Sequence, residues 1–333
     1  MFPESGNDSK ALKTRYEELR YWYENLVKEV TFTLEKELNT VGLKIVSIMG
    51  RVKTLESLKE KIERKQYSNP FADVTDLAGV RVVCQFTTDV KTVDSIVRQL
   101  FSVLGSENKA IALGADHMGY SGTHHVIQLD ERYKGSRYDG LGILKCEIQV
   151  RTILQDAWAQ INHSLVYKSE ASIPERERRE LNNVSALLEV AQTIFDRSHE
   201  MRKGYAEEVK KKQNTPTEFL SQPIDRETVA AYTMWRYPDL PINEKLQEMF
   251  LEQLDHNRYR TLKKLDEMIS MAEKAVNAYK RVAPELFKSG TDHITKSLGF
   301  TDTNFRKKHA FGPRTSQALS DYENLVPNRR GNA

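Results

Sequence analysis

Two cysteines in 333 residues are too few for a disulfide framework, so a reducing cytoplasm is the expected setting. No apolar run approaches the length of a membrane span, and the opening Met1-Phe2-Pro3-Glu4-Ser5-Gly6 holds no apolar signal region. No membrane partner is expected. Charge of one sign is also missing: 50 Lys and Arg stand against 47 Asp and Glu. The resulting net charge of +3 is too small to argue by itself for a nucleic-acid partner. What remains, with 39% apolar and 29% charged residues, is a polar globular chain long enough for about two domains.

Hydrophobic spacing predicts helix, then mixed sheet, then helix. Residues 9–38 carry a stripe of Leu19, Trp22, Tyr23, Leu26 and Val30. Residues 89–104 read as a helix with Val93, Ile96, Val97 and Leu100 inward, and residues 152–167 as another with Ile153, Ala157, Ile161 and Leu165 in line. From Pro174, a good first-turn residue, a long helix is expected to about Lys212. Residues 213–223, with two prolines and small polar residues, read as a linker. The domains are therefore expected at 1–212 and 224–333. The second is helical, with Leu246, Phe250, Leu254, Leu262, Leu265, Ile269 and Val276 on one face, but its single pair of helices is weak support for a repeat array. Its tail holds the charge runs Arg306-Lys307-Lys308 and Arg329-Arg330, which are usually solvated.

The most informative stretch is Glu147-Ile148-Gln149-Val150-Arg151-Thr152, a strand running into a helix. Alternation sends Cys146, Ile148 and Val150 to one face and Glu147, Gln149 and Arg151 to the other. A strand covered on both faces is apolar on both, so this one faces a polar cleft or is a solvated edge. Both cysteines lie in apolar strand runs and read as buried structural thiols.

Three upstream segments bear on that choice. After Arg51 and Lys53, the positions Ser57, Lys61, Arg64 and Lys65 follow at helical spacing. Such a set suits a triphosphate, because Arg offers a planar fork and Lys a point charge, although basic helix faces are often merely solvated. Asp76 precedes the β-branched run Val80 to Cys84, where it can be a Mg²⁺ ligand or a turn residue. Gly119-Tyr120-Ser121-Gly122-Thr123-His124 is a glycine-rich turn whose Tyr120 can stack on a base or sit in the core. His163 is placed at the cleft edge, as substrate contact or structural residue.

Together these segments resemble the RelA/SpoT alarmone synthetase domain over roughly residues 15–210. The matching motifs are Arg-x-Lys-x-x-x-Ser-x-x-x-Lys, read as a helix, Asp-Leu-Ala-Gly-Val-Arg, Gly-Tyr-x-Gly-x-His, and Glu-Ile-Gln-Val-Arg-Thr with Trp158, His163, Tyr167 and Lys168 following. The resemblance implies an α/β (α+β), nucleotidyltransferase-like mixed sheet flanked by helices, followed here by an all-α region. It implies transfer of pyrophosphate from ATP to the 3′-hydroxyl of GTP or GDP, with Mg²⁺. Carried over, Arg51, Lys53, Ser57, Lys61 and Arg81 contact ATP, and Asp76 and Glu147 are the metal and catalytic acids. Tyr120, His124, Gln149 and Arg151 surround the acceptor, with His163 and Lys168 as possible cleft residues.

The chemistry agrees with these residue types: attack on a phosphoryl group needs a metal, cations and a group to take a proton. The acceptor half departs from the family pattern at Asp116-His117-Met118, Ser121, Asp156 and Asn162. This leaves open another acceptor, an adenosine nucleotide or the 3′ end of tRNA as in toxin-like relatives. A regulatory module that binds nucleotide without catalysis is a third reading, opposed by retention of both acids. No His-Asp dipeptide occurs, so the hydrolase half of the long bifunctional relatives is not expected. The C-terminal region could bind a regulatory partner or promote homo-oligomerisation.

Overall fold

The structure, a computed structural model, describes residues 9–108, 122–165 and 174–327. Tyr120, Ser121, Tyr167, Lys168 and the Arg329-Arg330 pair lie outside the described residues. The chain divides into two compact units, Met1–His199 and Glu200–Ala333.

In the first unit, α1 (Ser9–Thr40) leads to β1 (Ser47–Val52), α2 (Leu55–Lys65), a short α3 (Pro70–Asp73) and β2 (Ala78–Cys84). α4 (Thr87–Leu100) and β3 (Ser102–Asn108) follow, then β4 (Thr123–Gln128), β5 (Cys146–Thr152) and α5 (Ile153–Leu165). The strands form one mixed sheet in the order β1-β2-β5-β4-β3, with β2 and β5 parallel and the other pairs antiparallel. The parallel pair is central, so both its strands have neighbours on each side.

One face of this sheet is the apolar core. Val80, Val82, Ile148, Val150 and Ile127 are buried there with Leu26, Val30 and Leu34 of α1 and Val93 and Val97 of α4. Each fully buried Leu or Val of this set contributes about 1.5–3 kcal/mol. Gly50 explains how closely α1 lies on β1, because a Cβ at that position would stand 2.3 Å from Val27 Cγ1. The period of two therefore sorts neighbours in sequence onto opposite faces. His125 is buried on the apolar side, its ring nitrogens 2.9 Å from Asp94 Oδ1 and 3.0 Å from Ser106 Oγ, whereas His124 turns to the other side.

Three expectations are corrected in this unit. Arg51 lies in strand β1 and Lys53 just after it, because the helix begins only behind the N-cap Thr54, whose hydroxyl accepts from Ser57 N–H. The helix read to residue 104 stops at Leu100, and Leu104 belongs to β3. The stripe on α5 does not point inward: Ile153, Ile161 and Leu165 are exposed, while Asp156 and Trp158 are buried. The reason is that α5 packs on the polar face of the sheet, so its inward residue is the one that meets arginine. Trp22 of the α1 stripe is likewise 40% exposed.

The division between units falls within α6 (Glu175–Lys212). Beyond it, the segment read as a linker holds α7 (Pro216–Leu220), and its Phe219 is fully buried in the second core. α8 (Arg226–Arg236), α9 (Glu244–His256), α10 (Leu262–Val282) and α11 (Gly290–Thr301) come next, then α12 (Thr303–Lys308) and α13 (Pro313–Asp321). α11 is buried on nearly every side, at its centre by Ile294 and Leu298. The apolar positions read on residues 243–279 do build this core through Phe250, Leu254, Leu262, Leu265, Ile269 and Val276, with Leu246 left 38% exposed.

Candidate active site

Pairing register places the polar residues. Gly79 of β2 is opposite Arg51 of β1 on one side and Glu147 of β5 on the other. One step further, Arg81 is opposite Gln149, which in turn faces His124 of β4. Without a side chain of its own, Gly79 lets the Arg51 side chain lie across β2, its Cγ 3.8 Å from where a Cβ would be.

Backbone pairing continues past β1 through Lys53 N–H, which donates to Leu77 O at 2.8 Å. This brings Lys53 beside Asp76, and Lys61 reaches the same carboxylate from one turn along α2. The ammonium groups stand 3.0 Å from Oδ2 and 2.8 Å from Oδ1 of Asp76. Ser57 is exposed at the start of α2, its hydroxyl 3.1 Å from Thr54 Oγ1.

A second group gathers on β4, β5 and α5. Gln149 donates to Glu147 Oε2 at 2.6 Å, and His124 Nδ1 is 3.1 Å from Glu147 Oε1. His124 Nε2 stands 3.2 Å from Arg151 Nη2. Guanidinium can only donate, so Nε2 accepts and the proton sits on Nδ1, assigned from the network. Arg151 is in turn 3.8 Å from Asp156, which Arg81 approaches to 3.1 Å and Gln160 bonds at 2.7 Å. Burial first, then the charge of Arg81, lowers the Arg151 pKa from its ordinary value. The turn that carries Asp156 inward is fixed by a capping box: Thr152 N–H donates to Gln155 Oε1, and Gln155 N–H to Thr152 Oγ1.

Of the residues expected in the cleft, Lys53 and Lys61 gather on Asp76, and His124, Gln149, Arg151 and Arg81 belong to the group around Glu147 and Asp156; Arg51 lies across Gly79, Ser57 bonds Thr54, and Tyr120 and Lys168 are beyond the described residues. His163 is exposed in the last turn of α5. Asp156 and Gln160 were not singled out as site residues. Their i, i+4 spacing on α5 was the available signal, a polar pair one turn apart on a helix expected to be apolar inside. Gly122 was also missed as a packing residue: a Cβ there would stand 2.3 Å from Val150 O and 2.4 Å from Arg151 Cγ. Cys84 and Cys146 are free thiols buried on the apolar side, with burial pushing the Cys84 pKa to about 12 and Cys146 upward as well.

Asp76 and Glu147 offer hard carboxylate oxygens, the donors that Mg²⁺ takes one or two of beside substrate phosphates. They sit at the starting ends of adjacent parallel strands. No cluster of three acids, histidines or cysteines suited to a metal occurs among the described residues. The donor set therefore fits an ion brought with a polyphosphate better than a protein-only cage.

Residues 50–172, from β1 to just past α5, match the model described as a region found in RelA / SpoT proteins. Over 160 residues the chain is 32% identical to GTP pyrophosphokinase YjbM of Bacillus subtilis (strain 168), covering 46% of this chain and 71% of YjbM. The chain belongs to the RelA/SpoT family. It is an enzyme of the GTP pyrophosphokinase type. GTP pyrophosphokinase YwaC of the same organism is 28% identical over 142 residues, covering 41% of this chain and 66% of YwaC. A solved GTP pyrophosphokinase family protein from Streptococcus pneumoniae is similar at 28% identity and a TM-score of 0.48, covering 58% of this chain and 95% of that one. The RelA/SpoT match lies within the first unit; the helical unit is outside it. No described helix is long and apolar enough to cross a membrane.

Proposed function

We propose that the first unit transfers the β,γ-pyrophosphate of ATP to the 3′-hydroxyl of GTP or GDP. The observation that carries the reading is the polar sheet face, where Arg51, Lys53, Lys61, Arg81 and Arg151 outnumber Asp76, Glu147 and Asp156. A surplus of fixed cations around the Asp76 and Glu147 carboxylates suits a polyphosphate and the charge that grows on it during transfer.

In this reading the acceptor 3′-oxygen forms a bond to the β-phosphorus of ATP while the bond from that phosphorus to the α,β-bridging oxygen breaks. AMP leaves with that oxygen, and the hydroxyl proton passes to Glu147. Gln149 and His124 hold the Glu147 oxygens in place for this. Arg51, Lys53 and Lys61 hold the ATP phosphates, with Ser57 at the helix start, and Arg81 lies against the adenine. Arg151 and Tyr120 serve the acceptor side. Asp76 and Glu147 would hold Mg²⁺, which neutralises phosphate oxygens when bound. Lys53 and Lys61, which pair with Asp76 here, would be the cations nearest to those oxygens.

Incubation of the full chain with Mg²⁺, ATP labelled in the β-phosphate and a panel of acceptors, read by chromatography, tests this. Label on GTP or GDP with release of AMP is the expected result. Label on adenosine nucleotides or tRNA alone would replace the acceptor, and nucleotide binding without any transfer would remove the catalytic reading.

A further inference from the structure

Helix α6 has two unlike sides, and the one it turns inward is polar. Ser185 and Gln192 are buried, Asp196 accepts from the Thr87 N–H at 3.0 Å, and the His199 ring stacks on Phe86 with centroids 3.9 Å apart. The outer side carries Val184, Leu187, Val190, Ile194, Phe195 and Met201, each between 45% and 69% exposed. These six recur at helical spacing and form one stripe, about 26 Å long at 1.5 Å per residue. Single exposed apolar residues are ordinary on a protein surface, but a contiguous stripe marks a surface that meets a partner.

The stripe is complementary to itself when reversed. Ala191 stands near its middle, and positions four, seven and eleven residues away in either direction return to the same helix face. Four away are Leu187 and Phe195, both apolar; seven away are Val184 and the small Ser198; eleven away are Glu180 and Arg202, of opposite charge. An antiparallel copy sets Leu187 against Phe195 and Glu180 against Arg202 on both sides of Ala191, whose small side chain lets two helix axes come close. A parallel copy would instead set Glu180 against Glu180. Within one chain Glu180 bridges Arg176 at 3.4 Å and Arg202 bridges Glu227 at 2.7 Å, but Glu180 and Arg202 are 66% and 55% exposed. Exposed bridges of this kind are worth little, so both charges can serve a partner as well.

We propose that the outer face of α6 pairs two copies of this chain, antiparallel about a two-fold axis at Ala191. The contact is isologous: each copy gives the same residues that it receives, and the pairing closes at two. Removing the apolar stripe of each copy from water drives it, and the Glu180–Arg202 contacts at its two ends select the antiparallel direction. The inference rests on α6 alone and stands or falls without the reaction proposed for the sheet face.

Sedimentation of the full chain at micromolar concentration is expected to show a dimer of the 38.4 kDa chain. Leu187→Glu combined with Ile194→Glu changes two exposed positions and is expected to raise the dimer dissociation constant about a hundredfold or more. Cross-linking reads the register. Cys84 and Cys146 are both buried, so a thiol introduced on α6 reacts without competition from them. Under mild oxidation Ala191→Cys is expected to give a covalent dimer, because both copies place this position at the axis. Thr193→Cys, exposed but off the stripe, is expected to give none. A chain that stays monomeric, an assembly that survives the double substitution, or cross-linking at Ala191→Cys no faster than at Thr193→Cys would overturn the proposal. Should the double variant fail to fold, the contrast between the two cysteine variants decides.

Discussion

Asp156→Asn keeps the shape of a buried side chain and removes the negative charge between two guanidinium groups. In the parent, Asp156 is 3.1 Å from Arg81 and 3.8 Å from Arg151, with side chains 8%, 26% and 11% exposed. Removing one partner of a buried ion pair costs about 3–5 kcal/mol, because the remaining charge is stranded. Arg81 keeps a quarter of its surface in water, so the lower end, ~3 kcal/mol, is expected. For a unit of this size, a loss of that order lowers Tm by roughly 6–12 °C. Chemical unfolding of the full chain, with hydrogen exchange of the β2 and β5 amides to localise the effect, measures it. The change also frees Arg151 from one side, so its hold on His124, and through it on Glu147, should slacken. Pyrophosphotransfer is then expected to fall more than the population of folded enzyme. An Asp156→Asn chain that unfolds within ~0.5 kcal/mol of the parent, the scale of an ordinary surface change, would refute the reasoning.

Three further outcomes follow from other parts of the molecule. Glu147→Gln should lower pyrophosphotransfer by ~10²–10⁴-fold with the fold intact, and wild-type turnover would remove Glu147 from the mechanism. Gly122→Ala should cost about 1–3 kcal/mol in urea unfolding, since its Cβ would fall 2.3 Å from Val150 O; an unchanged midpoint would mean that β4 relaxes freely there. In the second unit, unfolded His293 takes up a proton near pH 6.5 but folded His293 only near pH 4, so acid favours the unfolded state across that window. Stability should fall by up to about 3 kcal/mol from pH 6.5 down to 4, and His293→Gln should remove that part of the slope. Equal slopes in parent and variant would rule this out.

Much of the catalytic half was legible because strands alternate strictly. Glu147, Gln149 and Arg151 had to share a face once Cys146, Ile148 and Val150 were buried, and they do. The same rule did not reveal where β1 gives way to α2, because Arg51 and Lys53 are compatible with either; the Thr54 cap made that decision. On α5 the apolar stripe misled, since periodicity reports which residues share a face but not what that face meets.

The sequence alone was enough to place Asp76 before a buried strand, to pair the polar strand with a following helix, and to point to the RelA/SpoT family. These are local matters: period, caps and short motifs are written in contiguous residues. Tertiary structure decided that Lys53 and Lys61 close on one carboxylate, that Asp156 joins Arg81 to Arg151, and that His293 is left with an unpartnered nitrogen beside Arg236. Each depends on sheet order or helix packing between residues far apart in the chain, and no spacing along a single chain encodes which surfaces will meet.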